Sequence, residues 1–135
     1  MKPALNPCEF ELLCHVLAEI EALADFDRRL LMSNHRFARA MREVGVPFRP
    51  THWKNGEITP ARKMAYSRAI RRLEQAKFVT RVTESNRDRT THVKPTKSAI
   101  AVLIDQLGEQ VNRNDLLVSL SLTDWGQSLA KSLSR

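Results

Sequence analysis

Long cations recur at helical spacing in residues 59–75, TPARKMAYSRAIRRLEQ. At roughly 100° of rotation per residue, the apolar residues of this segment share one face of a helix and the cations share the opposite face. The cationic face carries Lys63, Ser67, Arg68 and Arg71. Arginine can bridge the N7 and O6 atoms of guanine, and a hydroxyl can bond to a base edge or a phosphate. The face therefore has the side chains that reading a DNA major groove requires.

The polar residues of this helix fall into two groups according to the part of DNA that we expect them to contact. We expect Ser67, Arg68 and Arg71 to contact bases, and Lys63 and Arg72 to contact phosphates. The alternative is a solvated surface helix whose cations are neutralised by ion pairs. Glu74 is the only acidic residue of the segment, which favours the DNA-binding interpretation.

A short basic hairpin follows the helix. Val79 and Val82 begin its first strand, SNRDR provides the turn, and TTHVK returns as far as Pro95. Arg87 and Arg89 lie at the tip of the hairpin, away from any core. We expect them to reach a minor groove or phosphates.

Positive charge is concentrated in the middle of the chain. The 135 residues have a formal net charge of +7, but residues 28–97 hold 18 of the 22 lysines and arginines and only 5 of the 15 acidic residues. Residues 1–27 and 98–135 are mildly acidic. This distribution suits a polyanion better than a small acidic substrate. The alternative is a generally basic protein whose charge serves only solubility.

Other functional classes find little support. The chain has no glycine-rich phosphate loop, no metal-ligand spacing among its four histidines and two cysteines, and no nucleophile with a neighbouring base. We therefore expect no enzyme, no cofactor and no structural metal. No run approaches the roughly 20 apolar residues of a membrane span, and Cys8 and Cys14 cannot easily bridge each other from one helix. A cytoplasmic protein is expected.

The first helix is marked by Asn6, Pro7 and Glu9, which resemble a capping box with proline at the first helical position. We expect it to run to about Ala24. Apolar residues surround most of it, which predicts burial on two sides, either within its own domain alone or partly against a second subunit.

A second helix can be capped by Ser33 and ended by Gly45. Between Gly45 and Thr59, two prolines and an Asn-Gly pair predict an irregular loop of about a dozen residues. Phe48 and Trp53 are expected to attach this loop to the rest of the protein.

Further helical periodicity begins after Thr96, and NRND then interrupts it. The stretch LLVSLSL, residues 116–122, predicts a strand. Thr123 can cap a final helix that carries Trp125.

The runs SRAIRRLEQAKFV and NRDRTTHVKPT resemble the recognition helix and wing of winged-helix transcriptional regulators, most closely those of the MarR type (multiple antibiotic resistance regulators). The resemblance covers residues 59–96. The matching positions are Ser67, Arg68, Arg71 and Arg72 in the helix, the family's Leu-Glu at Leu73 and Glu74, the strand start at Phe78 and Val79, and the wing arginine at Arg89.

This resemblance implies a recognition helix at about 60–77, a wing at about 79–95, and a dimer that binds palindromic operators through its DNA-binding helices. The terminal segments, 6–24 and 97–135, are then candidate dimer elements. The chain departs from the family pattern at Lys77, where glycine is usual, and at Arg87, where aspartate is usual. The family ends its last strand in a Leu-Thr pair, which this chain has only at Leu122 and Thr123, well after Pro95. Either the wing hairpin closes early and an extra helix follows it, or residues 97–114 are an insertion before the last strand.

The sequence as a whole predicts a mainly α protein with a small β-hairpin, folded as a single winged helix-turn-helix domain over residues 1–135. We expect a homodimeric regulator that binds double-stranded DNA sequence-specifically and has no membrane association. The alternative is a winged-helix interaction module, or a subunit of a nucleoprotein complex, with only non-specific affinity for nucleic acid. Such a module would dock through its apolar first helix.

Overall fold

A computed structural model of the chain describes residues 5–25, 29, 36–84 and 89–134. Its fold is mainly helical with a small antiparallel sheet, as the sequence predicts. The α-helices are α1 (Pro7–Glu21), α2 (Arg36–Glu43), α3 (Pro50–Trp53), α4 (Pro60–Gln75), α5 (Lys97–Leu107), α6 (Arg113–Ser121) and α7 (Gln127–Leu133). The strands are β1 (Val46–Pro47), β2 (Val79–Thr83) and β3 (Thr90–Pro95). Short 3₁₀ turns span Ala22–Asp25 and Gly108–Gln110.

The centre of the fold is α1. Its predicted capping box is present: the Asn6 side chain accepts from the Glu9 backbone N–H at 2.8 Å, and the Asn6 N–H donates to the Glu9 carboxylate at 3.0 Å. One face of α1 is fully buried and packs against α4, α5, α6 and β1. Most of the apolar surface of α1 is therefore covered by its own chain, whereas Cys8, Phe10 and Cys14 are half-buried.

The sheet has the strand order β1-β3-β2, with both pairs antiparallel. The predicted hairpin is confirmed, with Val79 opposite Pro95 and Val82 opposite His92. A bulge follows Val82, and the extra residue on β3 is Thr91. Its carbonyl accepts from the Phe48 N–H at 3.0 Å, so the segment after β1 also joins the sheet.

The predicted irregular loop between Gly45 and Thr59 is only partly irregular. Val46 pairs with Val93 to form β1, and Pro50 begins a single helical turn, α3, because a proline suits the first position of a helix. The Asn-Gly pair does form a turn, with φ of 55° at Asn55 and 81° at Gly56.

The expected anchoring by two aromatic residues is confirmed. The Trp53 ring stacks on His15 of α1 with 5.2 Å between ring centroids, and Phe48 meets the edge of Trp53 at 5.8 Å. The Trp53 indole N–H donates to Glu19 at 3.1 Å, and Arg49 binds the same carboxylate with two nitrogens. This cluster holds the segment before α4 against α1.

The strand predicted at residues 116–122 is wrong, because these residues form most of α6. The Asn112 side chain caps that helix by accepting from the Asp115 N–H at 3.1 Å. Leu116, Ser119 and Leu120 are buried at helical spacing. Their alternation with serines imitates a strand, but packing against α1 selects the helix. Helix α5 thus follows the hairpin directly, and the described residues after Pro95 contain no further strand.

The final helix also differs from its prediction. Thr123 caps a turn rather than the helix: its hydroxyl oxygen accepts from the Gly126 N–H at 2.9 Å, and α7 begins only at Gln127. Trp125 lies in that turn and donates to the Met41 carbonyl at 2.8 Å. The turn therefore binds the carbonyl end of α2. The predicted end of α2 near Gly45 is confirmed, whereas its predicted cap, Ser33, lies outside the described residues.

Candidate nucleic-acid interface

Helix α4 has the two predicted faces. It begins as expected at Thr59, whose side-chain oxygen accepts from the Arg62 N–H at 3.1 Å, with Pro60 as the first helical residue. The apolar face is buried in the core and consists of Tyr66, Ala69, Ile70 and Leu73. The opposite face points to solvent, so the helix presents its polar residues as a continuous exposed surface.

Three predicted site residues of α4 lie on successive turns and line one groove with the β2–β3 hairpin. The groove has a volume of about 240 Å³ and runs between α4 and the start of β3. Its lining residues are Lys63, Ser67 and Arg71 from α4, Arg89 and Thr90 from the hairpin, and Phe48 and Pro50. The fold therefore brings together residues from three separate segments of the sequence.

The polar groups of the groove have different hydrogen-bonding capacities. Lys63, Arg71 and Arg89 are exposed and bring only donors. The half-buried Ser67 hydroxyl donates to the Lys63 carbonyl at 3.2 Å, within its own helix. Its oxygen remains able to accept, so Ser67 in this rotamer suits a donor such as a base amino group better than a phosphate.

Arg68 lies outside this groove, near the middle of the exposed face of α4. Arg87 falls outside the described residues.

Glu74 connects the end of α4 to strand β2. It binds Arg81 of β2, accepting from its backbone N–H and from its Nε, each at 3.0 Å. Arg81 also donates to the Thr90 hydroxyl at 3.2 Å. These bonds connect the end of α4 to both strands of the β2–β3 hairpin, so helix and hairpin are held in a fixed relation.

Arg72, the remaining predicted site residue, lies at the other edge of α4. Its Nε is 3.8 Å from the Glu9 carboxylate of α1. Arg62 is on the same edge and pairs with Glu11, which also binds Lys54. Although burial favours the protonated carboxyl, Lys54 and Arg62 lower the pKa of Glu11 on balance.

Acidic residues of α1 thus neutralise one flank of the basic block. Glu9, Glu11 and Glu19 pair with cations of α4 and with the cations on either side of α3. The charge segregation along the sequence does not predict this pairing, because it depends on how α1 packs. We name the edge formed by Arg62 and Arg72 the paired flank, and the opposite edge with Lys63 and Arg71 the groove edge.

Sequence reasoning missed one residue on the exposed face. Met64 lies between the cations and is 61% exposed. It belongs to neither the core nor the groove lining. A hydrophobic residue at a helix position that faces solvent is the signal by which it could have been found.

Neither a metal-ligand cluster nor a membrane-spanning helix is found in the described part of the chain. There, no three histidine, cysteine or acidic side chains are grouped so that they could hold a metal ion, and both cysteines are free thiols. The helices that are described all fall short of the length and apolar character that crossing a bilayer demands. Comparison of this chain with protein-family models, curated proteins and solved structures finds no match.

Proposed function

We propose that this protein binds double-stranded DNA sequence-specifically through α4 and the β2–β3 wing, as a winged-helix transcriptional regulator. The observation that carries the proposal is the groove edge: Lys63 and Arg71 of α4 and Arg89 of the wing line one opening, while the acidic residues of α1 lie at the opposite edge of the helix. Cations gathered on one side of a helix match the phosphate array beside a major groove.

The order of elements supports this function. Helix α2, strand β1, helices α3 and α4, and strands β2 and β3 follow one another in the order of a winged helix-turn-helix, and β1 pairs with the returning strand β3. In that arrangement α4 is the recognition helix and the hairpin is the wing. The resemblance of residues 59–96 to MarR-type regulators points to the same assignment.

The geometry refines the roles of the predicted residues. Lys63, Arg71 and Arg89 converge on one groove, so in our proposal they bind the phosphates of a strand that passes between helix and wing. Arg68 projects from the middle of the face and reads a base. Arg72 contributes less than its charge suggests, because Glu9 lies beside it. Arg87 keeps its proposed role at the tip of the wing.

The homodimer remains a prediction. The leucines, valine and isoleucine of α1 are buried by its own chain, and only Phe10 among its large apolar residues is half-buried, so most of this helix does not need a second subunit to cover it. The same burial weakens the alternative of an interaction module that docks through α1. The dimer in our proposal therefore rests on the family resemblance.

Selection from a pool of random-sequence duplexes tests the proposal. The protein is equilibrated with the pool at raised salt, the bound fraction is sequenced, and the recovered site is titrated by fluorescence anisotropy against a scrambled duplex of equal length. We expect an enriched motif that binds at least about 10³-fold more tightly than the scramble. A palindromic motif would support the dimer. Binding that disappears with salt and enriches no sequence would contradict the proposal and favour the non-specific module.

A further inference from the structure

The centre of the exposed face of α4 is occupied by an apolar side chain. At 3.6 residues per turn, Met64 points about 170° away from the mean direction of the buried residues between Tyr66 and Leu73. Only Gln75, in the last turn of the helix, points as directly away from the core. At 61% exposure, most of the thioether side chain is in water in the unbound protein.

The surroundings of Met64 restrict its partner. Arg68 and Arg71 lie within about 40° of it around the helix axis, and both are exposed. Among the described residues, the other large apolar side chain of comparable exposure is Val118, on α6. Met64 is therefore not part of an apolar patch of the kind that marks a protein interface. A second copy of this chain presenting the same face would bring cations against cations.

A partner that fits this face must be anionic and must carry a small apolar group at the depth that α4 reaches. The major groove of DNA provides such a group, the C5-methyl of thymine, and 5-methylcytosine carries the same methyl at the same ring position. An unbranched thioether is polarizable and adapts its shape to such a contact. A cytosine without the methyl group offers Met64 no apolar surface there.

We propose that Met64 contacts a C5-methyl group in the major groove and so selects the base that carries it at one position of the binding site. This inference rests on the proposed DNA-binding function, since it assigns a specificity determinant within the same surface. Arg68 would then read hydrogen bonds while its neighbour Met64 reads the methyl group.

The selected duplex allows a direct test. Each thymine is replaced in turn by deoxyuridine, which lacks only the C5-methyl, and affinity is measured by anisotropy. We expect one position at which the wild-type protein loses about fourfold, equivalent to the roughly 0.8 kcal/mol of one methyl-sized group. Met64→Leu should keep this discrimination and Met64→Ala should lose it. Val118→Ala, which removes the other exposed apolar side chain, should behave as the wild type.

Parallel selections identify which base carries the methyl group. One pool contains ordinary cytosine and the other contains 5-methylcytosine in its place. Enrichment of thymine at the Met64 position in both pools assigns thymine. Enrichment of 5-methylcytosine there, with thymine tolerated, assigns the methylated cytosine.

Two outcomes separate this inference from the function on which it rests. If every C5-methyl group in the motifs from both pools can be removed without loss of affinity, or if the loss is equal in wild type and Met64→Ala, the role of Met64 is overturned and DNA binding is left standing. Failure to enrich any motif overturns both.

Discussion

At the scale of single residues, Lys77 is held in a left-handed backbone conformation with φ of 64°. The Phe78 N–H donates to the Leu73 carbonyl at 2.9 Å and the Lys77 N–H to the Glu74 carbonyl at 3.0 Å. This pair of bonds is a Schellman motif that ends α4 and directs the chain into β2. Glycine is favoured at such a position because it has no Cβ to clash. The backbone at Lys77 therefore has the conformation that glycine adopts most readily.

Lys77→Gly should therefore stabilise the protein. Relief of the left-handed conformation is expected to raise the free energy of unfolding by about 0.5–1 kcal/mol, after part of the gain is lost to the greater freedom of glycine in the unfolded chain. Urea unfolding followed by circular dichroism measures the change. Gln75→Gly, two residues earlier on an exposed helical position, is the matched control and should destabilise by a similar amount. Destabilisation by Lys77→Gly would refute this account of the helix end.

At the scale of elements, the contact between α1 and the segment before α4 positions the proposed DNA-binding face of α4. Trp53 stacks on His15 and bonds to Glu19, and Arg49 binds the same glutamate. Burial lowers the pKa of His15, which the Glu11 carboxylate only partly offsets, and burial also lowers the pKa of His92 in β3. Both rings are therefore neutral in the folded protein at pH values at which they begin to protonate in the unfolded chain.

The sign of the pH dependence follows from this difference. As the pH falls through about 6.5, the unfolded chain takes up protons that the folded protein does not, so the free energy of unfolding decreases. This loss continues until the folded histidines protonate in their turn. We expect lower stability at pH 5.5 than at pH 7.5, measured by urea unfolding. His15→Phe keeps a ring against Trp53 and removes one titrating group, and it should reduce the difference between the two pH values. An undiminished difference would exclude His15 as a source.

The elements that the sequence predicted correctly are those whose signals are local. Asn6 and Thr59 cap their helices through their own side chains, and the alternation around Val79 describes a hairpin. The failures occur where distant contacts decide. Residues 116–122 are helical because their leucines pack on α1, and β1 exists only because Val93 is available to pair with Val46. Neither contact can be read from the residues themselves.

At the scale of the whole molecule, the distribution of charge over the surface depends on how the helices pack and not only on the order of charged residues in the sequence. The formal charge of residues 28–97 suggests a uniformly basic surface, yet the acidic N-terminal helix lies against one edge of α4. The candidate site was thus partly predictable: the residue types and the exposed face of α4 follow from helical periodicity. The pairing of Arg72 with an acidic residue, which distinguishes it from Lys63, could not be predicted, since it depends on the position of Glu9.

The most direct test of the DNA-binding surface compares two double variants of the same helix. Lys63→Gln with Arg71→Gln removes two charges from the groove edge, and Arg62→Gln with Arg72→Gln removes two from the paired flank. Because both double variants lower the net charge equally, any difference in their affinity for duplex DNA reflects the positions of the removed charges. The measurement is the dependence of duplex affinity on salt concentration, with circular dichroism to verify that each variant is folded.

If the groove edge binds phosphates, its variant should lose affinity and its plot of log affinity against log salt should become shallower by about two. The flank variant should retain nearly the slope of the wild-type protein. Equal losses in the two variants would show that only overall charge matters, and a larger loss in the flank variant would place the DNA on the other edge of α4. Either result would contradict the proposed interface.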